Sequence, residues 1–241
     1  MKRNCLYLAI MLMISTSKIN GQRFDKNNFL DRWSITASSG ITIPWCDAEA
    51  NWKGNFKENP AFGLTLTKEM NSLFELRLEA IKGSLRGYQP THNRDFIANT
   101  FELNLAGTID FTRLSFGPDP CRSIIVHGIF GFGFYNYSGI LRAIDDNEIL
   151  YSTGYDTKGN KIGYKTEPVL NSGINVKIKM SRLIFLVFEN TWTITGNDYL
   201  DGHVGGFRYD IYSYTSFGIT YRFNFRTNGR YYSNCRGGST Q

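Results

Sequence analysis

Residues 209–225 read Tyr-Asp-Ile-Tyr-Ser-Tyr-Thr-Ser-Phe-Gly-Ile-Thr-Tyr-Arg-Phe-Asn-Phe. Tyr209, Ile211, Phe217, Ile219, Tyr221, Phe223 and Phe225 fall on one face of an extended chain. Asp210, Ser216, Gly218, Thr220, Arg222 and Asn224 fall on the other. Alternation with period two over this length predicts a strand far longer than an ordinary globular one, with one apolar and one polar side.

Seven further segments alternate in the same way: 32–43, 60–68, 73–82, 96–111, 123–137, 166–179 and, after an opening that is apolar on both faces, 183–195. In the third, Phe74, Leu76, Leu78 and Ala80 oppose Glu75, Arg77 and Glu79; in the fifth, Ile124, Val126, Phe130, Phe132 and Phe134 oppose His127, Gly131, Gly133 and Tyr135. Connections 69–72, 112–122 and 180–182 are the shorter ones. Connections 44–59, 83–95, 138–165 and 196–208 are longer, polar and rich in Gly, Asn and Asp. An even number of strands with short turns at one end and long loops at the other predicts an all-β chain. Its fold is an eight-stranded antiparallel up-and-down transmembrane β-barrel. A soluble lipocalin-like barrel shares the alternation with its sense inverted, so alternation alone leaves both open. Aromatics near the strand ends, among them Trp33, Phe74, Phe111 and Tyr221 at one edge and Phe62, Phe134 and Trp192 at the other, favour the membrane.

The N-terminus suits export. Met1-Lys2-Arg3 is basic, an apolar run follows to Ile14, and Asn20-Gly21-Gln22 offers a small-residue cleavage point. Residues 1–21 are therefore expected to be a cleaved signal peptide, 22–225 the barrel and 226–241 a polar periplasmic tail. Loss of Lys2, Arg3 and Lys18 lowers the formal charge from +6 to +3, which removes the case for nucleic-acid binding. With both termini periplasmic, Cys121 and Cys235 share a compartment and Cys46 lies in the first surface loop. Sequence fixes no geometry for a bond between the first two.

The polar face of the predicted strands carries Glu75, Arg77, Glu79, Glu102, Asp110, Lys177, Lys179, Glu189 and Arg222. An eight-stranded barrel is just wide enough to be filled by side chains. Buried charges persist when paired. These residues are thus read as a charge network that plugs the lumen, with a gated pore as the competing reading. No catalytic constellation emerges. His92 and His203 fall in loops, and His127 on a polar strand face has Ile129 two residues on, not Ser. Asp145, Asp146, Glu148 and Asp156 crowd one loop and admit calcium, but Asp, Gly and Asn equally suit a plain turn, and Lys158 and Lys161 oppose a cation. No metal or cofactor is expected.

Several segments resemble a known family in order and spacing. They are Leu85-x-Gly-Tyr88, Ser152-Thr-Gly-Tyr-Asp-x-x-Gly-Asn-Lys161, Thr166-Glu167-Pro168, Asp198-Tyr-Leu-Asp201, Gly205-Gly-Phe-x-Tyr-Asp210 and Tyr214-x-x-x-Gly218-x-x-Tyr221-x-Phe223. Together they resemble the N-terminal barrel of OmpA-like outer-membrane proteins of Gram-negative bacteria, without the peptidoglycan-binding domain that often follows it. The resemblance implies the fold and outer-membrane location; the lack of a catalytic constellation and the generic wall lead to a non-enzymatic, structural or surface-interacting role. A narrow pore, an accessory subunit of a secretion or surface complex, or a lipid-modifying enzyme are the alternatives. Gly218, Tyr221 and Phe223 further resemble the terminal signal by which barrel-assembly machinery recognises its clients. The expected partners are outer-membrane lipid, that machinery, and an envelope protein met through the long loops or the tail.

Replacing Tyr221 and Phe223 by Ala together is expected to cut the yield of heat-modifiable, folded barrel sharply while leaving export across the inner membrane intact. Band-shift gels of membrane fractions read both quantities, and normal assembly would show the terminal resemblance to be accidental.

Overall fold

A computed structural model of the chain describes residues 32–45, 59–89, 93–119, 122–156, 160–196 and 210–223. In chain order these form β1 (Trp33–Trp45), β2 (Pro60–Glu69), β3 (Phe74–Gln89), β4 (Arg94–Asp110), the helix α1 (Phe111–Phe116), β5 (Ile124–Ala143), β6 (Ile149–Thr153), β7 (Lys165–Lys179), β8 (Ile184–Thr195) and β9 (Ile211–Arg222). Each strand except β6 pairs antiparallel with a neighbour on both sides, and β1 pairs with β9 from Ser34↔Arg222 to Trp45↔Ile211. The wall therefore closes as an eight-stranded barrel. β6 lies on the β7 side of β5: β7 takes residues 124–137 of β5 and β6 takes 139–142. Between β6 and β7 the chain leaves the wall at Gly154, whose φ of 74° is a left-handed conformation that suits glycine.

All eight predicted strands are present, and three expected loops are corrected. β3 and β4 continue pairing to Gln89↔Arg94, across most of 83–95. The interval 138–165 contains the rest of β5 and all of β6. The connection 112–122 begins as α1, with the Asp110 side chain accepting from the Arg113 backbone N–H at 2.8 Å as the N-cap. Among the described residues, β3 to β6 thus reach well past the level at which β1–β2 pairing stops at Ile41↔Pro60. Residues 1–21, 226–241, Cys46, Cys121, Cys235, His92 and His203 lie outside the described residues.

At the other end, two turns share one construction. Asn71 Oδ1 accepts from the backbone N–H groups of Leu73 and Phe74, both at 2.8 Å. Ser181 Oγ does the same for Leu183 and Ile184 at 3.3 and 3.1 Å. Short polar side chains here replace the strand ladder with a local bond, which permits tight reversal.

The wall is polar inside and apolar outside. Along β2, Ala61, Gly63, Thr65 and Thr67 are buried while Phe62, Leu64 and Leu66 are exposed. The outer faces of β4 and β5 present Phe101, Leu103, Leu105, Phe130, Phe132 and Phe134 in the same way. This is the sense of a barrel surrounded by lipid, and it excludes the lipocalin alternative. On β5 the apolar outer positions run from Ile124 to Phe134. At strand rise and usual tilt that is about 25 Å, the height of a membrane barrel's apolar band. Above it, Thr166 donates to Asn136 at 2.5 Å on the outer surface. Within the band, Asn190 Nδ2 donates to Thr215 Oγ1 at 2.6 Å, so this polar pair satisfies itself.

Neighbouring strands approach β5 closely where it carries glycine. A Cβ on Gly133 would meet Asn104 Oδ1 at 2.1 Å and the Leu103 carbonyl at 2.4 Å. Gly133→Val therefore forces the β4 backbone aside. It is expected to lower the unfolding free energy by about 1–3 kcal/mol, measured by urea titration of the lipid-reconstituted barrel.

Candidate functional site: a charged lumen

The inward positions stack in tiers from the end that carries both described termini. At the mouth is a vestibule of about 90 Å³ lined by Glu69, Glu75, Asp110, Arg113, Lys177 and Arg222, with His127 at its floor. Arg222 pairs with Glu69 and lies over the Phe185 ring at 5.1 Å. Lys177 Nζ reaches both oxygens of Glu75, at 2.7 and 3.0 Å. Thr108 donates to Glu75 Oε2 at 3.2 Å, and His127 Nε2 stands 3.5 Å from Oε1.

The next tier centres on Arg77, 5% exposed. Its Nη1 donates to Glu189 Oε2 at 2.8 Å and its Nη2 to Glu189 Oε1 at 3.0 Å. Nη2 also reaches Glu79 Oε1 at 3.1 Å. Such a fork matches two-point carboxylate geometry, which lysine cannot reproduce. Asn175 Nδ2 donates to Glu189 at 2.5 Å and Thr65 to Glu79 at 3.2 Å. The Arg77–Glu189 bonds cross the interior from β3 to β8, so they tie opposite parts of the wall.

Above them lies Glu102, 2% exposed. Tyr212 donates to its Oε2; Asn104 and Thr193 donate to Oε1 at 2.6 and 3.3 Å. These donors are neutral, and hydrogen bonds alone offset the cost of taking the carboxyl group out of water. The Tyr135 ring stacks on Tyr137 and packs tilted against Tyr212, with centroids 5.4 and 5.3 Å away. These three rings form one apolar cluster with Leu85, Phe96, Ala98 and Leu141 across the lumen. At the top, Tyr137 and Lys165 both donate to Glu167, at 3.1 and 2.8 Å.

All eight expected network residues occupy inward positions. The structure joins Glu75 to Lys177, Arg77 to Glu79 and Glu189, and Arg222 to Glu69. Glu102 stands apart from these ion pairs, and Lys179 sits at the end of β7. Charge is balanced at the mouth, where three acids face three bases, while one arginine serves two carboxylates in the middle. Sequence reasoning missed Glu167 and Tyr212. Glu167 shares the parity of Asn171 and Lys177, and Tyr212 that of Arg222, which was the available signal. Asp156 bonds Asn160 within its own loop, at 2.7 Å to the backbone N–H and 3.1 Å to Nδ2, so its carboxylate builds a turn.

Gly218 faces inward where a Cβ would meet the Ala37 carbonyl at 2.7 Å. The Tyr221 and Phe223 rings meet edge to face at 5.5 Å, and the Phe223 N–H donates to the Trp33 carbonyl at 2.8 Å, which ties the strand's end to β1.

No protein-family model matches the chain, and no curated protein matches it in sequence. Among solved structures, it is similar to Neisserial surface protein A, at 11% identity and a TM-score of 0.47 over 80% of this chain and 98% of that one. It is also similar to the N-terminal β-barrel domain of Pseudomonas aeruginosa OprF, at 10% identity and 0.44 over 80% and 98%. A third is Ail, the attachment invasion locus protein of Yersinia pestis, at 11% identity and 0.43 over 80% and 100%.

Removing Arg77 leaves two buried carboxylates without their cation. Arg77→Met is expected to destabilise the barrel by about 3–5 kcal/mol. Adding Glu79→Gln and Glu189→Gln should recover most of that loss, as read from denaturant midpoints of the single and triple variants.

Proposed function

We propose that this protein is a non-enzymatic outer-membrane β-barrel, exported by a cleaved signal peptide, whose lumen is plugged and whose role is structural or in surface interaction. The observation that carries the reading is the filled interior. Arg77 is held at both nitrogens by carboxylates from two strands, and the Tyr135, Tyr137 and Tyr212 rings pack across the same channel above it. An eight-stranded wall leaves no spare width beside such a column. Water and ions then have no continuous path, and opening one requires breaking a buried bidentate pair.

The non-enzymatic reading draws on His127. It faces the lumen, and its Nε2 is directed at Glu75. A hydrolase of membrane lipid needs its base beside a nucleophile that lipid can reach. Contact with other molecules falls instead to the strands that rise beyond the rim. Leu150 and Tyr151 on β6 and Ile162 and Tyr164 in 160–164 are exposed, and Lys161 Nζ lies 3.7 Å over the Tyr164 ring. Apolar and aromatic groups beside a cation suit recognition better than they suit plain solvation.

Planar-bilayer recording tests the plug. The purified barrel is expected to show no stepwise conductance, and Arg77→Met/Glu189→Gln to introduce openings. Steady channels from the unaltered protein would replace the plug with a pore.

A further inference from the structure

The helix α1 interrupts a turn that needs no helix. The other two turns at this end close within four residues. α1 is fastened to the outside of the wall, not across the mouth. Thr112 Oγ1 accepts from the Val126 N–H at 2.6 Å. The Phe111 ring lies on outward-facing Gly128, where a Cβ would meet it at 2.5 Å. An aromatic ring thus takes the place of a missing side chain on the apolar surface. Leu114 follows Phe111 by three positions on the same helical face and is 64% exposed, and Phe116 is 78% exposed. Arg113 turns the other way, to the Ser72 carbonyl at the mouth.

Cations accompany the aromatics around this rim. The Arg122 guanidinium lies 5.7 Å from the Phe116 ring, and Lys68 Nζ lies 5.2 Å from the Trp33 ring. Met70 and Met180 project from the two short turns and are exposed. Large apolar groups beyond the ends of the strands have no hydrophobic reason to face water, and rings with adjoining cations match the depth of lipid headgroups.

We propose that α1 is an interfacial anchor: Phe111 sits on Gly128 inside the apolar band, and Leu114 and Phe116 lie at its edge against the headgroup layer of the adjoining phospholipid leaflet, with Arg122 toward lipid phosphate. The occupant is phospholipid because the helix continues the lipid-facing surface of β5 without a break, and because cations border its apolar side. The inference rests on the membrane reading of the barrel and adds a dedicated element that sets its depth.

The test uses the full chain in phospholipid nanodiscs, with Cys5, Cys46, Cys121 and Cys235 changed to Ser and single spin labels introduced by Leu114→Cys, Phe132→Cys or Asp146→Cys. Collision with oxygen reports lipid, and collision with a water-soluble nickel chelate reports solvent. Phe132 is the mid-band reference and Asp146 the loop reference. Oxygen access at 114 several-fold above nickel access, approaching that at 132, is the expected result. Nickel access at 114 matching that at 146, with 132 still in lipid, overturns the anchor alone. Shielding of 114 from both reagents means that protein covers the helix and also overturns it. Nickel access at 132 as well removes the membrane reading itself.

Discussion

The pairing of β1 with β9 is the contact on which the rest depends. A sheet with an apolar outer face can sit in lipid only if every backbone N–H and C=O finds a partner inside the wall, because lipid offers none. Twelve paired positions join the first strand to the last and remove both edges. Gly218 belongs to this seam, with no side chain to hold Ala37 away, and the Phe223–Trp33 backbone bond continues it past the last strand. The last described strand is therefore the one that completes the wall.

Closure at eight strands determines what the interior can be. The diameter admits side chains and little else. Inward residues must interdigitate, and polar ones must satisfy each other. Glycines at 131 and 133 of β5 give room to Asn171 and Asn104 from the flanking strands. Arg77 and Glu189 lie far apart in sequence and meet only because the wall curves back. The lumen is consequently graded: part-buried ion pairs at the mouth, a buried arginine with two carboxylates in the middle, and tyrosines above. Each tier uses a different means of holding its polar groups.

Much of this was legible in the chain. Parity alone assigned Glu75, Arg77, Glu79, Glu102, Lys177, Glu189 and Arg222 to the interior, because a strand can turn only alternate residues inward. Partners were not legible, since which tier meets which depends on strand stagger around the closed wall. The extension of β3 through Gly83, Ser84 and Gly87 was hidden by residues that ordinarily mark turns, and only pairing with β4 makes them strand. Tyr212 and Tyr214 read as interruptions of a polar face. They are inward phenols whose hydroxyls bond Glu102 and Ser38. α1 was masked by Phe111, which continues the aromatic alternation of β4 while already belonging to the helix.

Amide hydrogen exchange of the lipid-reconstituted protein, resolved by residue, tests the closed wall most directly. Ser38 to Ile43 of β1 and Ser213 to Gly218 of β9 should be as protected as the β3–β4 pair at the same depth. Rapid exchange confined to β1 and β9, with the other strands protected, would mean an open sheet and contradict the barrel.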